Sequence, residues 1–237
     1  MANSYFRFKQ FTIHQDRCAM KVGTDGVLLG AWASVDEVTR VLDIGTGTGL
    51  IALMLAQRSE ASVDAIDIDE GAYSQALDNV NSSPFAERIR LYHAPLSRFA
   101  LSSIGGYDLI VSNPPYFTDS LKSPDKSRSL ARHDDSLTLD ELFRLSIPLL
   151  TPSGRLALVL PFDKLKELEE LSSINHLSIL RQTHVCPTPD SAPKRLLVEL
   201  SRQSLPTPPA DRLIIELARH QYSEGYIEMT KGFYLGM

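Results

Sequence analysis

Arg40-Val41-Leu42-Asp43-Ile44 runs straight into Gly45-Thr46-Gly47-Thr48-Gly49, and an apolar, helix-forming run, Leu50-Ile51-Ala52-Leu53-Met54-Leu55-Ala56, follows. The order reads as buried strand, glycine turn, helix, the opening unit of an open α/β sheet. Glycines let the backbone turn sharply and pass close to a ligand, and a helix start presents free N–H groups. A nicotinamide-type fingerprint needs Gly-x-Gly-x-x-Gly. Gly45 and Gly47 fit it, but Leu50 stands where the third glycine belongs, and Gly49 comes one residue early. Alone, such a turn is a common strand-to-helix joint, so a ligand reading depends on what lies downstream.

Two further strand ends carry chemistry. Ser62-Val63-Asp64-Ala65-Ile66-Asp67 reads as the next strand and ends in an acid 22 positions after Gly45. At that distance a carboxylate can accept hydrogen bonds from ribose hydroxyls; the bland alternative for Asp67 is a helix N-cap or a solvated loop acid. Tyr107-Asp108-Leu109-Ile110-Val111-Ser112 reads as a third buried strand and runs into Asn113-Pro114-Pro115-Tyr116. Open α/β sheets bind ligands at the carboxyl ends of their strands. Two prolines fix φ twice and remove two N–H groups, which leaves a stiff turn with free carbonyls. Asn113 offers a side-chain carbonyl, Pro114 a backbone carbonyl and Tyr116 a flat ring, an arrangement that suits a planar –NH2 group. A proline-rich turn closing a core strand is the plain alternative.

The rest of the chain alternates in the same way. Residues 71–80, 137–150 and 163–172 read as helices; 88–92, 154–160, 177–185 and 195–200 read as strands. This predicts one α/β domain over 1–237, with a mostly parallel sheet covered on both faces, in which 1–35 is an N-terminal extension and 36–237 the catalytic core. Residues 117–135 are polar, lack apolar periodicity and follow Asn113 closely, so an active-site loop is expected there. The proline-rich stretch 204–210 reads as a stiff connection to a last unit. The formal net charge of −5 excludes a global basic footprint. Two cysteines, Cys18 and Cys186, form no CxxC pair or His/Cys cluster, which argues against a metal site and suits a reducing cytoplasm. No apolar run approaches ~18 residues, so no transmembrane span is expected.

Together, Asp43 to Gly49, Asp67 and Asn113-Pro114-Pro115-Tyr116 resemble the motifs of S-adenosylmethionine-dependent methyltransferases that modify planar nitrogens. Phe8-Lys9-Gln10-Phe11, the run from Asp16 to Trp32, and Tyr222-Ser223-Glu224-Gly225-Tyr226 resemble one family among these, the bacterial tRNA1(Val) adenine-N6 methyltransferases. The resemblance covers essentially the whole chain. It implies a Rossmann-like, class I methyltransferase fold with a seven-stranded sheet whose last hairpin strand is antiparallel. It also implies S-adenosylmethionine as cofactor and tRNA as substrate, methylated at N6 of the adenine 3′ of the anticodon. On this resemblance Asn113, Pro114 and Tyr116 are the catalytic residues. Thr24, Asp43, Gly45, Gly47, Gly49, Asp67, Ile68 and Asn113 bind the cofactor, and Thr24 and Asp25 lie near its methionine end.

One position departs from the pattern: Pro95 stands where an acid that reads the cofactor's adenine is expected, leaving that edge to main-chain groups and to stacking on side chains such as Ile68. Two other enzyme classes use related turns, the glutamine-N5 methyltransferases of peptide release factors and the guanine-N2 methyltransferases of ribosomal RNA. A non-enzymatic RNA-binding module is the third alternative. The N-terminal segment through Thr24 carries Arg7, Lys9, Arg17 and Lys21 against Asp16, a local net of +3, with Tyr5, Phe6, Phe8 and Phe11 interleaved. It is read either as a covering edge strand or as an RNA-docking surface whose rings stack on bases.

Overall fold

The computed structural model describes residues 3–18, 20–115 and 137–237. Tyr116 and the expected active-site loop at 117–135 lie outside these residues. In chain order the elements are β1 (Tyr5–Arg7), β2 (Thr12–His14), α1 (Thr24–Trp32), β3 (Arg40–Ile44), α2 (Leu50–Arg58), β4 (Ser62–Asp67), α3 (Glu70–Asn81), β5 (Ile89–His93), α4 (Leu96–Ser102) and β6 (Tyr107–Ser112). There follow α5 (Leu139–Ser146), β7 (Leu150–Pro161), α6 (Leu165–Ile174), β8 (Ser178–Cys186), β9 (Arg195–Ser201), β10 (Asp211–Ile214), β11 (Glu216–Ala218), β12 (Gln221–Tyr222) and α7 (Glu224–Thr230).

The main sheet runs β10-β8-β9-β7-β6-β3-β4-β5, and within it only β9 is antiparallel to its neighbours. Side chains alternate across it with the two-residue strand period. Val41, Leu109 and Val111 join the core beneath α1 and α2, while Leu42, Ile44 and Ile110 join the core with α4, α5 and α6. A sheet covered on both faces needs apolar residues at both phases, which is why Val41-Leu42 in β3 and Leu109-Ile110-Val111 in β6 show no polar alternation. The chain winds outward from β3 in both directions, so β3 and β6 meet at the switch point where a ligand crevice forms. Ser112 closes that junction by donating from Oγ to the Ile44 carbonyl at 2.9 Å.

Three features depart from the sequence expectations. The sheet has an eighth strand: β10 pairs in parallel with β8 beyond the 204–210 connection. Its four residues are too few to show a period. The expected extension contains α1, which is buried from Gly26 to Trp32 and belongs to the core. Gly26 and Gly30, one helical turn apart, allow this. A Cβ on Gly30 would sit 2.8 Å from Met54 Sδ and 2.9 Å from Met54 Cβ, so α1 and α2 touch backbone to side chain.

The third departure concerns the N-terminal rings. β1 ends at Arg7, so strand alternation does not reach Phe8 or Lys9. Phe8 is 1% and Phe11 5% exposed, and Phe8 stacks on Tyr234. Neither is a ring for RNA. Lys9 donates through Nζ to the carbonyls of Lys231 (2.6 Å) and Met237 (2.9 Å), which clasps the N-terminal hairpin to the last turn of the chain. Only Tyr5, 53% exposed, remains an open ring of the four.

Candidate active site

The carboxyl ends of β3, β4, β5 and β6 open into one cleft of about 540 Å³. Gly45 and Gly47 form its floor. Gly45, Gly47 and Gly49 all take left-handed backbone angles (φ 70°, 59° and 82°) that side-chain-bearing residues rarely adopt. A Cβ on Gly45 would meet no atom within 4 Å, so it would project into open space instead of packing. Gly49 caps α2, and its own N–H returns to the Thr46 carbonyl at 2.9 Å.

Asp43 does not line the cleft; it holds the turn from below. Its Oδ2 accepts from Thr46 Oγ1 at 2.7 Å and from Ala52 N at 3.2 Å, while Oδ1 is buried with no partner. Burial raises its pKa to about 7, against the two hydrogen bonds, and the neighbouring Asp67 charge adds to the rise.

Asp67 lies at the rim, at the end of β4. It accepts Gly47 N at 2.8 Å on Oδ2 and Asp69 N at 2.9 Å on Oδ1. The helix cap belongs to its neighbour: Asp69 Oδ1 accepts from Ala72 N at 2.7 Å as the N-cap of α3. Asp67 is thereby freed from the capping role and points with the glycine turn into the cleft. Burial pushes its pKa up, and the N–H groups of Asp69 and Gly47 pull it down. Ile68, half exposed, forms an aliphatic wall beside it.

Asn113 and Pro114 line the same cleft, facing the glycine turn from the end of β6. Pro95 lines it too, immediately before α4, where its carbonyl accepts from Arg98 N and Phe99 N. Its φ of −67° is the value a proline ring imposes, and as a proline it brings neither a carboxylate nor an N–H to the cleft wall. Thr24 starts α1, is exposed and is not among the cleft-lining residues, and Asp25 accepts a 2.8 Å hydrogen bond from Arg195 Nε. Lining residues that carry no local sequence signal include Cys18 and Met20 from the N-terminal segment and Glu141 from α5. Among the described residues no cluster of His, Cys, Asp and Glu could hold a metal, and no helix is long and apolar enough to cross a membrane.

Residues 23–171 match the family model of the methyltransferase small domain. The Parabacteroides distasonis protein named tRNA1(Val) (adenine(37)-N6)-methyltransferase is 56% identical over 237 residues, with 100% of each chain covered. Proteins of the same name from Bacteroides thetaiotaomicron and Trichodesmium erythraeum are 49% and 43% identical, each over 99% of both chains. Among solved structures, the predicted O-methyltransferase Atu636 of Agrobacterium tumefaciens superposes with a TM-score of 0.66 at 18% identity, over 88% of this chain and 96% of that one. TYW2 of Pyrococcus horikoshii, solved with MeSAdo, gives 0.58 at 12% identity, over 84% of this chain and 71% of that one. The structural likeness carries the class I methyltransferase fold, and the full-length identity carries the rest: the chain belongs to the tRNA1(Val) (adenine(37)-N6)-methyltransferase family.

Proposed function

We propose that this protein transfers the methyl group of S-adenosylmethionine to N6 of adenine 37 in tRNA1(Val), with Asn113 and Pro114 as the groups that bind the reacting amine. The observation that carries the assignment of roles is that both acceptors share one cleft with the Gly45–Gly47 turn and Asp67. The residues fit the cofactor. The glycine turn leaves room that a Cβ would fill, the Asp67 carboxylate lines the same cleft as an acceptor for ribose hydroxyls, and Ile68 offers an apolar face. S-adenosylmethionine supplies a methyl group already activated on its sulfonium sulfur.

What remains for the protein is alignment and electrostatics. The N6 lone pair of adenine is delocalised into the ring. Acceptors at Asn113 Oδ1 and the Pro114 carbonyl bind both N6 hydrogens and favour a pyramidal nitrogen, which turns the lone pair outward. The nitrogen becomes acidic once methylated, so no strong general base is needed. Tyr116 supplies the ring on which the extruded base stacks. The rim offers Lys21, next to Met20, and the hairpin offers Arg7 and Tyr5, for contacts with the RNA backbone and bases. Cys18 and Cys186 form no disulfide with each other, which suits the cytoplasm as the compartment.

Labelled methyl transfer to total RNA and to a peptide release factor, followed by nucleoside analysis, tests the reading. Label in N6-methyladenosine of tRNA is expected; label in the release factor, or in methylguanosine, overturns it. Asp67→Ala is expected to weaken S-adenosylmethionine binding by roughly 1.5–3 kcal/mol, the scale of hydrogen bonds to a charged group. Calorimetry measures it, and an unchanged dissociation constant would make Asp67 a brace for Gly47 only. Pro95→Asp is expected to tighten cofactor binding, because it restores an acceptor at the cleft wall without moving the start of α4. No gain in affinity would mean that the main chain already satisfies the adenine edge.

A further inference from the structure

A buried amide joins the glycine turn to the N-terminal segment. Asn79 on α3 is 1% exposed. Its Oδ1 accepts from His14 N, and its Nδ2 donates to the carbonyls of both His14 and Thr48, each at 2.9 Å. One turn earlier Gln75, equally buried, accepts from Arg17 N through Oε1 at 3.0 Å. Gln15 closes the far end, accepting from Val22 N at 2.8 Å and donating to the Asn3 carbonyl at 3.0 Å. The backbone is therefore pinned at His14, Arg17 and Val22. Between these pins, Cys18 and Met20 line the cleft, and a Cβ on Gly47 would lie 4.0 Å from Cys18 Sγ.

We propose that Asn79 is a positioning residue for the cofactor. It locks the glycine turn and the wall formed by Cys18 and Met20 into one unit, so that the cofactor is held between them and its affinity depends on Asn79 although Asn79 does not line the cleft. Asparagine is the side chain this geometry requires. Two carbonyls need two N–H donors and one N–H needs an acceptor, and neither Asp nor Leu supplies that set. Left without the amide, the buried Thr48 carbonyl loses this donor and the His14 backbone loses both of its contacts with α3. The lowest-cost relief is to let the N-terminal segment part from the turn, which opens the outer wall of the cleft.

The proposal rests on the cleft being the S-adenosylmethionine site, and the test separates the two. S-adenosylhomocysteine binding is measured by calorimetry on the wild type, on Asn79→Leu and on Gln75→Ala, together with hydrogen exchange at Arg17 and Val22 and steady-state methylation of tRNA. The variants are expected to bind roughly tenfold or more weakly, the scale of a lost buried hydrogen-bond set. The KM for S-adenosylmethionine should rise while kcat at saturating cofactor stays near the wild-type value. Cofactor should slow exchange at Arg17 and Val22 in the wild type, and those amides should exchange faster in both variants. Gln75→Ala leaves the Thr48 contact intact, so it reports on the wall even if Asn79→Leu fails to fold. Unchanged affinity in a folded variant, whatever the loss of melting temperature, overturns the proposal. Failure of the wild type to bind S-adenosylhomocysteine overturns the reading of the cleft instead.

Discussion

Asn113→Ala lowers methyl transfer by roughly two to three orders of magnitude, the scale of losing one donor–acceptor contact made in the transition state. Cofactor affinity stays near the wild-type value, because the glycine turn and Asp67 are untouched. The expectation follows from where the residue is held. β6 and β3 are parallel neighbours, and the Ser112–Ile44 hydrogen bond of 2.9 Å fixes the end of β6 against the start of the glycine turn. Pro114 is buried, so the residue next to Asn113 is anchored on its far side as well. An acceptor placed this firmly needs no reorganisation when the amine pyramidalises. Truncation removes the acceptor without disturbing the strand. Single-turnover rates with saturating tRNA, together with calorimetry for S-adenosylmethionine, check it. Near-normal turnover would make Asn113 a structural turn residue and remove the mechanism.

The second large effect is on stability. Asp43 is buried with one oxygen unpartnered, and its pKa in the folded protein is raised to about 7. In the unfolded chain an aspartate titrates near ~3.9. Between roughly pH 4 and pH 7 the folded state therefore holds a proton that the unfolded state has lost. Stability falls as pH rises through that window and levels off above it. Three pH units correspond to on the order of 4 kcal/mol. Asp67, raised in the same direction by burial, adds to the same slope. Asp43→Asn cannot titrate, so its unfolding free energy changes much less between about pH 5 and pH 8. Denaturant unfolding of both proteins at the two pH values measures this, and equal pH dependence in both would show that Asp43 stays ionised in the folded state.

Much of the fold is legible because its signals are local. β3, β6 and the turns after them are runs of five to ten consecutive residues, and glycine and proline act on their own backbone angles wherever they stand. The acid at Asp67 is legible by spacing, since one βαβ unit has a set length. Where two acids lie close together, spacing no longer chooses: Asp67 and Asp69 could each cap α3. Only the observed Asp69–Ala72 hydrogen bond, with Asp67 turned to Gly47, assigns their roles.

The remainder is decided by contacts between distant parts of the chain. Gly26 and Gly30 argue against a helix by propensity; α1 packs closely on α2 because those bare positions let it lie against Leu50 and Met54. Phe6 and Phe8 alternate with Arg7 and Lys9, yet β1 stops before Phe8, whose burial against Tyr234 outweighs exposure to a partner. Lys9 reads as a free cation until the last residues of the chain return to bind it. Sequence by itself determined the strand–turn–helix units and the chemistry at their ends, because each is a property of neighbouring residues. Tertiary structure alone decided which acid caps α3 and which braces the glycine turn, which rings are core and which segment closes the cofactor wall, because those depend on burial and on hydrogen bonds between groups that the local sequence pattern does not pair.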